Sequence, residues 1–143
     1  METMFTEIEQ ETLDIDWFFT NHEYIGFGAS GGGLLPASVA KSKENNELLW
    51  LYFNDLPERC ETRINPHLNK IIKEPDERYL FGFLEMARRG IFAFDRTKSG
   101  NYSVAIPVNP IKIDELPSDL IEILSKTSYQ GDMEMAININ LFS

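Results

Sequence analysis

Leu13-Asp14-Ile15-Asp16-Trp17-Phe18-Phe19, then Asn21-His22-Glu23, then Tyr24-Ile25-Gly26-Phe27: this opening stretch sets the architecture. Leu13, Ile15, Trp17 and Phe19 fall on one side of an extended backbone, with Asp14 and Asp16 on the other. A period of two indicates a half-buried strand. The polar break at 21–23 turns the chain back into a second strand, so a hairpin is expected near the N-terminus. Residues 91–95 and 102–106 read as a second hairpin, with Arg96-Thr97-Lys98-Ser99-Gly100-Asn101 as its exposed tip. Over 132–141, Met133, Met135, Ile137, Ile139 and Leu141 alternate with Asp132, Glu134, Asn138 and Asn140. That pattern predicts a half-exposed antiparallel strand.

Helical signals lie between these stretches. Pro36 fits the first turn of a short helix through Ala40. Ser42 is a candidate N-cap for a helix from Lys43 to about Asn54, with Leu48, Leu49, Tyr52, Phe53 and Leu56 on one stripe. The run 48–53 is also short and aromatic enough to read as a buried strand. Pro66 can open a helix through Lys73. The clearest helix starts after Pro75-Asp76-Glu77, carries Tyr79, Leu80, Phe83, Leu84 and Ala87 on one face, and ends with Arg88, Arg89 and Gly90. Pro117-Ser118-Asp119 begins another, with Leu120, Ile121 and Leu124 inward. Strands and helices do not alternate regularly. The expected fold is therefore α+β, a mostly antiparallel sheet with hairpins packed against three to four helices.

The length of 143 residues suits one domain spanning 1–143, and 43% hydrophobic with 12% aromatic residues suffices for a packed core. No stretch approaches the ~20 apolar residues of a membrane span. Residues 1–11 are acidic and lack the apolar run of a secretory signal. Cys60 is the only cysteine, so no internal disulfide is possible. A cytoplasmic protein is expected.

The net charge is −10, and its distribution is uneven. Residues 1–40 hold seven acids and no Lys or Arg, and residues 114–143 hold six acids against Lys126. Phosphate binding relies on Lys and Arg, so nucleic acid is a poor partner and a basic protein a good one. Solubility alone is the plainer explanation of the charge.

Catalytic sets are weak. Gly26-x-Gly28-x-x-Gly31 matches the dinucleotide fingerprint, but Gly32, Gly33 and Pro36 prevent the helix that must start at the third glycine. The 26–33 segment, with five glycines, reads as irregular. Gly31, Gly32 and Gly33 mark it as a loop of interest, either a tight positive-φ turn or a surface that a ligand or partner backbone approaches. Ser30 lacks the hydrolase context, and Cys60 with His67 has no catalytic spacing. A lone cysteine is usually a buried small hydrophobe. Asp14 with Asp16, and Asp132 with Glu134, share strand faces, mostly a wet sheet face and more sharply an acidic binding face; neither His22 nor His67 completes a metal site. Trp50 falls off its helical stripe; packing beneath the glycine loop is the first expectation for it, an exposed interface anchor the second. No cofactor, metal or catalytic residue is assigned.

Asp16-Trp17-Phe18-Phe19 and Gly26-Phe27-Gly28-Ala29-Ser30-Gly31-Gly32-Gly33-Leu34-Leu35-Pro36 resemble a segment of small acidic bacterial proteins, similar to the immunity proteins encoded beside polymorphic or contact-dependent toxins. The resemblance covers roughly the first 40 residues. It implies a cytosolic, non-enzymatic protein that binds one cognate toxin domain and occludes its active site. Immunity families place their interfaces differently, so it carries over no contact residues. The expected partner is a protein, a basic toxin domain, with no membrane and no nucleic acid, and the chain itself a monomer or weak dimer. Asp14, Asp16, Glu23, Trp50, Asp132 and Glu134 are the partner-facing candidates. A small-molecule-binding domain or small enzyme using the 26–33 loop, or a general adaptor, are the alternatives.

Overall fold

A computed structural model describes residues 2–97, 100–136 and 142. Its described residues form one five-stranded sheet, in the order β1 (Asp16–Thr20), β2 (Ile25–Ala29), β4 (Phe92–Thr97), β5 (Gly100–Pro107), β3 (Thr62–Ile64). The N-terminal hairpin is β1 with β2, and the second is β4 with β5. The two hairpins join through a parallel β2–β4 pairing, and β3 adds antiparallel to β5. The fold is α+β with a mostly antiparallel sheet, in agreement with the element pattern.

Helices α3 (Lys43–Asn54), α4 (Glu77–Arg88) and α5 (Ser118–Leu124) cover one sheet face. Phe18, Ile25, Phe27 and Ala93 pack there against Leu49, Phe53, Met86, Ala87, Leu120 and Leu124. The opposite face carries Trp17, Phe19, Phe92 and Phe94 beneath α2 (Ala37–Ala40), Tyr129 and Met133. The strands β1 and β2 are therefore covered on both faces. The half-buried reading of β1 is corrected accordingly: Phe18 is as buried as Trp17, and Leu13 lies outside the strand, exposed.

The glycines of β2 explain how two large rings fit on one strand. The irregular reading of 26–33 is corrected at Gly26 and Gly28, which both lie in β2, paired with Phe19 and Trp17. A Cβ on Gly26 would stand 2.2 Å from the Phe19 ring, and one on Gly28 2.5 Å from the Trp17 ring. Each ring lies across a strand position that has no side chain, which is the close approach that strand glycines permit. Only Ser30 to Gly33 forms the turn, closed by the Gly33 N–H on the Ser30 carbonyl at 2.9 Å. Gly31 and Gly32 take φ of 55° and 77° there, the tight positive-φ turn of the two readings.

Helix ends follow their local chemistry. The Ser42 hydroxyl accepts from the Asn45 N–H, and the Asp76 carboxylate from the Tyr79 N–H at 2.7 Å. Gly90, at φ 95°, terminates α4. Asp76→Ala should cost about 1 kcal/mol, read as a lower midpoint in urea denaturation with an unchanged slope. Two helix expectations need adjusting. Leu48 is exposed rather than core; Leu49 and Phe53 are the buried residues of the stripe, and Tyr52 and Leu56 pack partly buried beside them. The helix expected from Pro66 to Lys73 shortens to a 3-10 turn over Leu68–Lys70. At the second hairpin, Lys98 and Ser99 lie outside the described residues; Arg96, Thr97 and Gly100 are paired strand residues rather than tip, and so is Asn101, which is buried. Its amide and the Ser103 hydroxyl, both buried on β5, have no hydrogen-bond partner among the described residues. Residues 132–136 form a turn, not a strand, and the rest of the expected strand, 137–141, lies outside the described residues. No described helix is long and apolar enough to cross a membrane.

Candidate functional site

β1 is an edge strand, and its first residues border a cleft. Asn46 Nδ2 donates to the Asp16 carbonyl at 2.9 Å, while Thr20 exchanges backbone bonds with Thr127 and Tyr129. These contacts cover much of the open edge against strand addition. The side chains of Asp14 and Asp16 remain at the start of the strand. One Asp14 oxygen accepts the Gly31 N–H at 2.9 Å, which ties the acidic segment to the glycine turn. One Asp16 oxygen accepts from the Trp50 indole N–H at 3.3 Å. Trp50 is thus not beneath the glycine loop; it stands 41% exposed on α3 beside the acids.

Between these carboxylates and α4 lies a cleft of about 330 Å³. Phe27, Phe83 and Met86 line its interior, and Phe81, 62% exposed, stands at its mouth. Glu85 and Arg89 contribute from α4 and Asn54 from α3. Arg89 is already engaged, donating to the Leu56 carbonyl at 3.0 Å and standing 3.7 Å from Glu85. On the other side of Asp14 and Asp16 a shallower depression is lined by Glu47, Asn46, Lys43 and Trp50.

Asp16 is held above the ordinary aspartate range. Burial is the main cause, the Trp50 hydrogen bond opposes it, and the neighbouring Asp14 charge adds to it. The folded chain therefore binds the Asp16 proton more tightly than the unfolded chain. Stability from this group is present at acid pH and lost as pH rises from 3.8 through the raised folded value. Asp16→Asn should melt higher than the parent at pH 7, and the difference should vanish at pH 3.5, in matched thermal denaturations.

The other candidates are dispersed. Glu23 is exposed in the β1–β2 turn, at the far end of the hairpin from Asp16. Asp132 and Glu134 are not on a strand face; Glu134 pairs with Arg63 at 2.9 Å beside β3, the opposite sheet edge. Asp14, Asp16 and Trp50 come together, and the set gains Phe81, Phe83 and Glu85, none of which the sequence marks as a site residue, Phe83 being read there only as part of the helix stripe. Phe81 carries a signal: it is out of phase with the Tyr79, Leu80, Phe83, Leu84 stripe of its own helix.

The Ser30 and Cys60 side chains and two tyrosines are engaged in hydrogen bonds within the fold. The Ser30 hydroxyl accepts from the Ile15 N–H at 2.7 Å and donates to the Leu13 carbonyl. Cys60, half-buried rather than core, directs its thiol at the Ala87 carbonyl. Tyr79 and Tyr102 both donate to one oxygen of Asp95, at 2.7 and 3.1 Å, and burial pushes the Tyr79 hydroxyl far above its usual range. It therefore stays protonated. Gly26 and Gly28 lie under aromatic rings, so they offer no backbone to a ligand. Among the described residues no three His, Cys, Asp or Glu cluster as metal ligands. Comparison with family models, curated proteins and solved structures finds no match to this chain.

Proposed function

We propose that the chain is an immunity-type inhibitor, a cytosolic protein that binds one basic toxin domain and blocks access to its active site. The observation that supports this reading best is the cleft at the start of β1. Exposed Trp50 and Phe81 flank the carboxylates of Asp14 and Asp16; aromatic anchors inside a polar rim are common at protein interfaces, and the carboxylates add complementarity to a basic partner. An acidic surface would compete with the phosphate substrate of a toxin that acts on nucleic acid. The resemblance of the 16–36 segment to immunity proteins points the same way.

The test is capture of the tagged chain from its native cell at low and then moderate salt, beside an Asp14→Lys/Asp16→Lys variant. The expected result is one basic protein, held stoichiometrically by the parent chain. The double variant should associate roughly ten- to a hundredfold more slowly, because steering by complementary charge acts on the on-rate. A partner held equally by both chains, with no dependence on salt, would contradict the acidic-face reading.

A further inference from the structure

The cleft between β1 and α4 combines an aromatic interior with a carboxylate rim, and we propose that it receives an arginine side chain from a protein partner. The proposal rests on the protein-binding reading above only in assigning the arginine to a partner.

Charge complementarity selects the occupant. The ion pairs among the described residues are Lys43–Glu9, Arg59–Glu115, Arg63–Glu134 and Arg89–Glu85. None reaches Asp14 or Asp16, although Asp16 is half-buried and its carboxylate is desolvated. Arg89, across the cleft, is held by Glu85 and the Leu56 carbonyl. A neutral apolar occupant would bury the Asp16 charge further without a partner, which is costly. An anion would meet the same carboxylates with the wrong sign.

The interior then separates arginine from lysine. A guanidinium is planar and weakly hydrated, bonds two carboxylate oxygens in parallel, and stacks on aromatic rings. Phe27, Phe83 and Phe81 supply the rings, and Asp14 and Asp16 the acceptors. Trp50, donating to one Asp16 oxygen at 3.3 Å, leaves the other oxygen to accept from the incoming group. A compact ammonium keeps its hydration shell and gains less from rings. The cleft volume of about 330 Å³ accommodates one long side chain.

The probe is the capped tripeptide N-acetyl-Gly-Arg-Gly-amide, titrated into the ¹⁵N-labelled full chain. Lysine and citrulline versions serve as the charged and neutral controls. The arginine peptide should shift the Trp50 indole and the Asp16 and Gly82 amide resonances, saturating in the millimolar range. The lysine peptide should bind several-fold more weakly, and the citrulline peptide, isosteric but uncharged, should leave these resonances in place. An Asp14→Asn/Asp16→Asn chain, its fold verified by an otherwise unchanged spectrum, should lose at least tenfold in affinity. Equal shifts from citrulline, shifts confined to other surfaces, or no shifts at tens of millimolar peptide would overturn the proposal. Arginine-peptide binding without any captured toxin would retain the cleft and remove the immunity reading. A captured toxin held equally well by the Asn double variant would do the reverse.

Discussion

Gly28→Ala and Gly26→Ala are each expected to destabilise the fold by about 2–3 kcal/mol, the cost of overpacking a filled interior. Elsewhere, replacing a strand glycine by alanine stabilises by roughly 0.4–1 kcal/mol, because the unfolded chain loses freedom. Here the sign reverses. The added methyl would stand within 2.5 Å of the Trp17 ring or 2.2 Å of the Phe19 ring. Neither ring has room to retreat: Trp17 packs edge-on to Phe142 and against Phe19, and Phe19 against Phe94 and Tyr129. A cycle with Phe19→Leu tests the mechanism. In the Phe19→Leu background, Gly26→Ala should cost much less, since the two changes share one contact and their effects are not additive. Equal costs in both backgrounds, read from urea midpoints, would show that the ring-on-glycine contact is not what limits the site.

Phe53→Ala is expected to cost about 3–5 kcal/mol, enough to leave a domain of ordinary stability largely unfolded on mild heating. Phe53 is fully buried and joins α3 to the sheet, its ring 4.8 Å from Phe18 and 5.5 Å from Tyr52. Removing it leaves a cavity between layers that the backbones of β1 and α3 hold apart. Leu51→Ala, two residues earlier but on the exposed face, should change stability by less than about 0.5 kcal/mol. The contrast, measured by thermal and urea denaturation, checks the orientation of α3 independently of any single energy. Loss of α3 packing would also displace Trp50 and widen the cleft, so Phe53→Ala should weaken partner binding at temperatures where it is still mostly folded.

Much of this architecture is legible wherever a local rule and the tertiary fold agree. Asp76, Arg88 and Gly90 bound α4 because a cap, a cation and a positive-φ stop each act within one turn. The hairpins are legible because alternation and polar turns coincide. Where the readings fail, long-range contacts decide. Gly28 looks like a loop residue, and Gly26 falls in both the return strand and the irregular segment, until Trp17 and Phe19, on the neighbouring strand, cover them. The α1 helix (Glu7–Thr12) has a signal in its capping box, Thr6 with Glu9, but it presents exposed Ile8 and no apolar stripe. β3 is only three residues long and is stabilised by β5 rather than by its own pattern. The candidate site divides in the same way. Asp14 and Asp16 are found because they are close in sequence. Trp50, Phe81 and Glu85 join them only through the packing of α3 and α4, and that same topology carries Glu23 and Glu134 to distant parts of the sheet.

Neutralisation tests the central claim most directly. The basic protein captured by this chain would be expressed from an inducible promoter, alone, with the parent chain, and with the Asp14→Lys/Asp16→Lys variant, and growth followed after induction. The expected result is arrested growth for the partner alone, full growth with the parent chain, and weakened protection with the variant. A partner that is harmless by itself, or one whose toxicity the parent chain leaves unchanged, would contradict the immunity reading.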